Sequence, residues 1–180
     1  MGVTSLVAGL WGLAEATLFF IVPDVLLSLV ALRDRRGASI ACGWAIGGAL
    51  VGGILMYQWG QANPAASRAA LDAVPAIGAA MIADVERSLV TTGLPALFLG
   101  PLSGTPYKIY AVVSGGLGVG LAPFLLVSVP ARGVRFVLVT LVAAWVSRRP
   151  LAKWPLGRRR AAALAVWAVF YAIYLAVKWD

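Results

Sequence analysis

The chain has 180 residues, of which 61% are hydrophobic and 12% charged, and its formal net charge is +8. Soluble domains are roughly half apolar and a quarter charged, so this composition predicts a single integral membrane domain. There is no histidine and one cysteine, which excludes histidine-based metal sites and a disulfide framework. We therefore expect no metal and no cofactor.

The first apolar block runs from Gly2 to Leu32 and contains two acids, Glu15 and Asp24. It is too long for one membrane span of about 20 residues and too short for two spans with a turn. Pro23 interrupts it directly before Asp24. We expect residues 1–32 to form a re-entrant hairpin of two half-depth helices, whose break must be enclosed by protein or a water cavity.

A membrane-spanning helix is predicted at residues 38–60. It carries glycines at a spacing of four, which lets another helix approach closely; they are Gly43, Gly47, Gly48 and Gly52. The pattern fits two alternatives, close packing of helices within one chain and close packing between the chains of a homo-oligomer.

Interfacial helices are predicted at residues 63–88. Asn63-Pro64 is a typical helix start, and Pro75 is expected to begin a second short helix. An apolar stripe at a spacing of four indicates an amphipathic helix lying in the membrane interface; it consists of Ile77, Met81, Val85 and Leu89.

The opening pattern then recurs at residues 89–118, where a second re-entrant hairpin is predicted. Its breaks are Pro101, Gly104 and Pro106, and Lys108 is the ionisable group near its centre. Spans at 121–147 and 161–178 follow. The alternative division has three separate spans at 89–107, 109–131 and 133–147.

Basic residues cluster in "RDRR" (33–36) and in the loop at 148–160. Beside apolar runs such clusters indicate cytoplasmic loops rather than nucleic-acid binding. With the N-terminus also cytoplasmic, the two hairpin-plus-span units have opposite orientations, as in many transporters. The predicted fold is therefore an all-α, multi-pass protein of the cell (inner) membrane, built from two inverted repeats and a final transmembrane helix.

Arg132 and Arg135 fall near the middle of the span at 121–147. Ionisable groups at membrane depth usually face a cavity or a partner, and residues three apart share a helix face. We expect Glu15 and Asp24 to neutralise the two arginines, with Lys108 as a third cation. The alternatives are purely structural ion pairs, or a short interfacial loop that carries the arginines.

Three segments resemble the DedA family with its VTT (SNARE-associated Golgi protein) domain, in its YqaA-like branch. They are "EATLFFIVPDVLLSLVAL", "GGALVGGILMYQWG" and "FLGPLSGTPYKIYAVVSGGLG" with the following "PFLLVSVPARGVRF". The resemblance implies two facing re-entrant hairpins and proton-coupled translocation of a lipid or lipid phosphate. It also implies that Glu15 and Asp24 are the acidic positions of the first hairpin. The family commonly has arginines on both sides of a proline in the second hairpin, whereas here Lys108 is the only cation of that hairpin after Pro106, and Arg132 and Arg135 come later, in the span.

Two classes of function follow. The first is a transporter that flips or scrambles a phospholipid or lipid phosphate and uses protons, with Glu15, Asp24, Arg132, Arg135 and Lys108 as substrate-binding or proton-coupling residues. The second is a non-transporting membrane protein that assists assembly or stability of a larger complex. We do not expect an enzyme, because the sequence places no nucleophile near the acids.

Overall fold

The computed structural model describes residues 2–100 and 104–178, which form nine α-helices and no strand. The predicted all-α class is confirmed for this part of the chain. In order, the helices are α1 (Val3–Ala16), α2 (Asp24–Ala31), α3 (Arg35–Ala62), α4 (Pro64–Asp72), α5 (Ala79–Thr92), α6 (Pro95–Leu99), α7 (Tyr107–Gly116), α8 (Leu121–Arg148) and α9 (Leu156–Lys178).

Three helices, α3, α8 and α9, are long and apolar enough to cross a membrane. Large apolar side chains cover their outward surfaces, such as Leu126, Leu138 and Ile173, which are all more than half exposed. Such surfaces are unusual on a soluble protein, so they agree with the predicted membrane character. Because α8 is one continuous helix, residues 109–131 and 133–147 do not form separate spans.

Helix α3 lies at the centre and contacts α1, α2, α4, α7 and α8. Its glycines let the backbone of α1 come very close. A Cβ atom on Gly48 would lie 1.9 Å from the carbonyl oxygen of Gly9, and one on Gly52 would lie 2.7 Å from that of Leu13. Gly48 and Gly52 therefore serve packing within the chain, whereas Gly43 and Gly47 face open space.

Helix α7 packs on another part of α3 by the same means. A Cβ atom on Gly115 would lie 2.0 Å from the carbonyl oxygen of Tyr57, and one on Gly60 would lie 2.1 Å from that of Val112. With 14 and 10 residues, α1 and α7 are about 21 and 15 Å long at 1.5 Å per residue. Neither can cross a hydrocarbon layer of about 30 Å.

Two helix boundaries differ from the sequence prediction around α5. The helix begins at Ala79 rather than at Pro75, because Ala76 has a positive φ of 63° and Gly78 is extended, so a helix cannot pass through them. It then continues to Thr92 and ends at Gly93, whose φ of 72° suits glycine. The first residues assigned to the second hairpin therefore belong to α5.

The buried face of α5 also differs from the predicted stripe. Ile82, Val85 and Leu89 are buried, while Met81 is only partly buried. This face packs against α6 and α7, so the amphipathic pattern reflects contact with the protein. An ion pair of 2.8 Å between Arg68 and Glu86 joins α4 to α5, and this guanidinium holds the pKa of the Glu86 carboxyl below its usual range.

The last helix begins at Leu156, five residues before the predicted start. The basic cluster at 148–160 predicted a cytoplasmic loop, whereas Arg158, Arg159 and Arg160 lie at the start of α9, where cations oppose the helix dipole. The Arg159 guanidinium donates hydrogen bonds to the carbonyl oxygens of Trp154 and Ala152 and to Ser147 Oγ. These contacts tie the basic turn to the end of α8 and offset that cost.

Candidate functional site

Glu15 and Asp24 lie on either side of the break between the first two helices. Glu15 is in the last turn of α1, and Asp24 is the first residue of α2. Residues 17–23 between them are not helical, and the Trp11 indole N–H donates to the carbonyl oxygen of Ile21 at 2.9 Å. Both carboxylates are buried, with 3% and 0% exposure, so they need cationic or hydrogen-bonding partners.

Each acid meets one arginine of α8. Arg132 Nη2 forms an ion pair and a hydrogen bond with Glu15 Oε2, and Arg135 Nη2 lies 2.8 Å from Asp24 Oδ2. The structure thus brings the four predicted residues together and gives the pairing that the sequence left open. Helix α8 continues through Pro130, so Arg132 and Arg135 belong to a continuous helix and not to an interfacial loop.

The guanidinium of Arg132 is fully buried between two aromatic rings. Its Cζ lies 5.0 Å from the ring centre of Tyr107 and 4.7 Å from that of Phe136, within the range of a cation–π interaction. The Tyr107 hydroxyl donates to Ser128 Oγ at 3.0 Å. Within the described residues, nothing accepts a hydrogen bond from Arg132 Nε or Nη1.

Lys108 joins the first break to the second. It lies in the first turn of α7 with 2% exposure, and its Nζ donates to the carbonyl oxygen of Phe19 at 2.6 Å. Gly104 has a φ of 91°, a conformation that favours glycine, and Pro106 caps α7. Pro23 precedes α2 in the same way, while the predicted break at Pro101 lies outside the described residues.

A cavity of about 60 Å³ lies beside these charges, which is room for a few water molecules. Glu15, Lys108 and Arg135 form its charged wall. The remaining lining comes from the first break, the segment before α5, the second break and α9; it is Phe20, Val22, Val74, Pro75, Ile77, Gly104, Thr105, Pro106, Phe170, Tyr171 and Tyr174. The Tyr171 hydroxyl accepts a hydrogen bond from the Val22 backbone N–H at 2.8 Å.

The cluster has a formal charge of +1, because its three cations face two carboxylates. A singly charged anion in the cavity would balance it. Arginine forks bind carboxylates and phosphates through paired hydrogen bonds, and a carboxylate that loses its arginine inside protein favours the protonated form. The arrangement is therefore suited to binding an anion and to exchanging a proton.

Two proteins with detectable similarity come from Histophilus somni and Haemophilus influenzae. A Histophilus somni protein, "Uncharacterized protein HI0703 homolog", is 38% identical over 61 residues, 34% of this chain and 32% of its own length. A Haemophilus influenzae protein, named "Uncharacterized protein", is 26% identical over 154 residues, 77% of this chain and 71% of its own. The chain thus spans about a third of the first relative. No protein-family model and no solved structure matches the chain.

Several aromatic residues of the site were not identified from the sequence, among them Phe136, Tyr107 and Tyr171. Phe136 follows Arg132 by one helical turn, and that spacing is a signal that could have found it. Tyr107 and Tyr171 reach the cluster from α7 and α9. No sequence pattern identifies them, because their contacts depend on how distant helices pack.

Proposed function

We propose that this protein is a membrane transporter of the DedA/VTT type that flips or scrambles a phospholipid or lipid phosphate and uses protons. One observation carries the proposal. Two acid–arginine pairs, of which only the Arg135 side chain is partly exposed, join the first two helices to α8 beside a cavity that also receives Lys108. Buried charges are costly in a membrane and usually mark a transport pathway.

In this proposal α1–α2 and α6–α7 are re-entrant hairpins. Each hairpin and the long helix that follows it form one repeat unit, and the two units have opposite orientations in the membrane. The support is their size, since α1 and α7 are too short to cross a membrane, and both pack on α3 through glycines. The N-terminus and the loop at 148–160 face the cytoplasm, and the protein lies in the cell (inner) membrane. The basic residues of that loop support this orientation.

The anionic headgroup binds at the charged wall of the cavity. Arg135 offers a guanidinium fork and Lys108 a compact ammonium group, while within the described residues Nε and Nη1 of Arg132 have no hydrogen-bond acceptor. The phosphate competes with Asp24 for Arg135 and with Glu15 for Arg132. The cavity is too small for a headgroup as it stands, so α9 moves aside to admit one.

Proton use follows from the competition. A carboxylate that gives up its arginine to phosphate remains in a low-dielectric site, where the charged form is unfavourable. It therefore takes up a proton while the substrate is bound and releases it when the ion pair forms again. Binding of an anionic headgroup and binding of a proton are in this way coupled.

The test is reconstitution into liposomes that contain a fluorescent phospholipid or a polyprenyl phosphate, with headgroup accessibility as the readout. Hydrogen bonds to charged groups contribute roughly 1.5–3 kcal/mol. We therefore expect Lys108→Gln and Arg135→Lys each to slow translocation about ten-fold or more, the second because the fork is lost while the charge is kept. In the folded fraction of Glu15→Gln, translocation should continue and its response to a pH gradient should be lost.

Arg87→Gln is the matched control, because Arg87 forms an exposed pair with Asp84 away from the cavity and should transport at the wild-type rate. Wild-type rates in folded Lys108→Gln and Arg135→Lys would overturn the proposal. They would favour the second candidate, a non-transporting assembly or stability partner. The observation behind that candidate is that each acid already has an arginine.

A further inference from the structure

An open groove with three arginines lies between the beginning of α3 and the end of α8. We call it the arginine groove; its lining is Arg35, Leu141, Ala144, Trp145, Arg148 and Arg149, and its volume is about 340 Å³. Arg135, in the central cluster, precedes Arg148 by 13 residues of α8, which is about 20 Å along a helix. The arginine groove is therefore separate from the transport site proposed above.

The three guanidinium groups of the groove are exposed. Among residues 2–100 and 104–178, none of them forms an ion pair with a carboxylate. Arg159 in the first turn of α9 differs, because its guanidinium is held by two backbone carbonyls and Ser147 Oγ. The groove thus concentrates positive charge at one end of two membrane-spanning helices.

The other half of the groove is apolar. Leu141 and Trp145 are one helical turn apart on the same face of α8, with 43% and 62% exposure. Ala144 between them is buried and has a small side chain, so it leaves room for a hydrocarbon chain along this face. A ligand that fits both halves has an anionic head at the helix ends and a hydrocarbon tail that extends toward the membrane centre.

We propose that the arginine groove binds one anionic phospholipid. The phosphate pairs with the forks of Arg35, Arg148 and Arg149, and an acyl chain lies against Leu141 and Trp145. Arginine suits the task because its planar fork binds phosphate oxygens in pairs. Basic pockets at the ends of membrane helices are typical sites for anionic headgroups. The bound lipid links α3 to α8, since Arg35 belongs to one helix and the other two arginines to the end of the other.

The test uses the full chain in detergent and native mass spectrometry with phosphatidylglycerol or phosphatidylcholine. Each arginine near a headgroup contributes roughly five-fold in affinity. The variant Arg35→Gln/Arg148→Gln/Arg149→Gln should therefore bind phosphatidylglycerol about 100-fold more weakly, and the single variant Arg149→Gln about five-fold. Phosphatidylcholine binding should not change.

The matched control is Arg36→Gln/Lys153→Gln/Arg158→Gln, which removes the same charge from the same two basic segments without touching the groove. It should lower the affinity much less. Equal losses in the two triple variants would overturn the proposal in favour of diffuse surface electrostatics. Equal binding of the two lipids would overturn it as well.

Competition by inorganic phosphate at the concentration of the lipid would overturn the lipid assignment and show that the groove binds a free anion. Binding that persists in Lys108→Gln separates this site from the transport site.

Discussion

At the scale of single residues, Arg132 combines the features that make a buried charge tolerable. Its guanidinium pairs with Glu15 and lies between the rings of Tyr107 and Phe136. Desolvation of such a pair can cost more than the attraction returns. A buried pair is therefore weak evidence for stability by itself.

A double-mutant cycle tests the pairing. Glu15→Gln or Arg132→Leu alone should lower the free energy of unfolding by about 3–5 kcal/mol, because each leaves its partner buried and uncompensated. The double variant should lose clearly less than the sum of the two. Thermal unfolding in detergent measures this, and the exposed pair Asp84 and Arg87 gives the reference cycle with little coupling. Simple additivity at Glu15 and Arg132 would mean that the two side chains do not interact.

At the scale of helices, the glycine-lined contact of α3 with α1 determines where Glu15 lies. The glycines of α3 differ in their surroundings although their spacing is regular. Gly48 touches the backbone of α1, while Gly47 faces open space in an apolar groove lined by both helices. Only contact with the neighbouring helix distinguishes the two positions.

Gly48→Ala should separate α1 from α3, because its methyl group would lie 1.9 Å from the Gly9 carbonyl oxygen. That oxygen belongs to the backbone of α1, so the whole helix would have to move to relieve the clash. We expect a loss of about 1–3 kcal/mol, as for other overpacked cores, and a weaker Glu15–Arg132 pair. Gly47→Ala is the control and should be neutral or stabilising by up to about 1 kcal/mol. Thermal unfolding of the two variants measures the difference, and equal melting temperatures would contradict the close packing of α1 on α3.

At the scale of the whole molecule, two long helices, α3 and α8, separate the basic segment before α3 from the basic segment after α8. Helices α3 and α8 are antiparallel at the arginine groove, where the start of one meets the end of the other. With α1–α2 and α6–α7 as re-entrant hairpins, the segments before α3 and after α8 lie on one side. In that proposed topology the short helices α4 and α5 lie on the other side.

Cysteine labelling tests this arrangement. In a Cys42→Ala background, single cysteines at the exposed positions Arg36 and Gly157 should react from the cytoplasmic side. A cysteine at Ala65, exposed in α4, should react only from the opposite side. An impermeant maleimide applied to intact cells and to inverted vesicles gives the readout. Labelling of positions 65 and 157 from the same side would refute the re-entrant topology.

The sequence by itself determined the membrane character, the three long helices and the interruptions of the short ones. These follow from local composition, since apolar length, proline and glycine act within a few residues of the chain. It also identified Glu15, Asp24, Arg132, Arg135 and Lys108 as candidates, because an ionisable residue in an apolar run is conspicuous wherever it lies.

Only the tertiary structure decided which partners these residues have. Glu15 meets Arg132 and Asp24 meets Arg135, and Tyr171 covers the cavity from α9. It also decided that Gly48 is used inside the chain and that α5 begins after Ala76. The ion pairs, the covered cavity and the Gly48 contact depend on the rotation and approach of helices distant in sequence. Local periodicity gives the face of a helix, but the element that packs against that face follows from the fold as a whole.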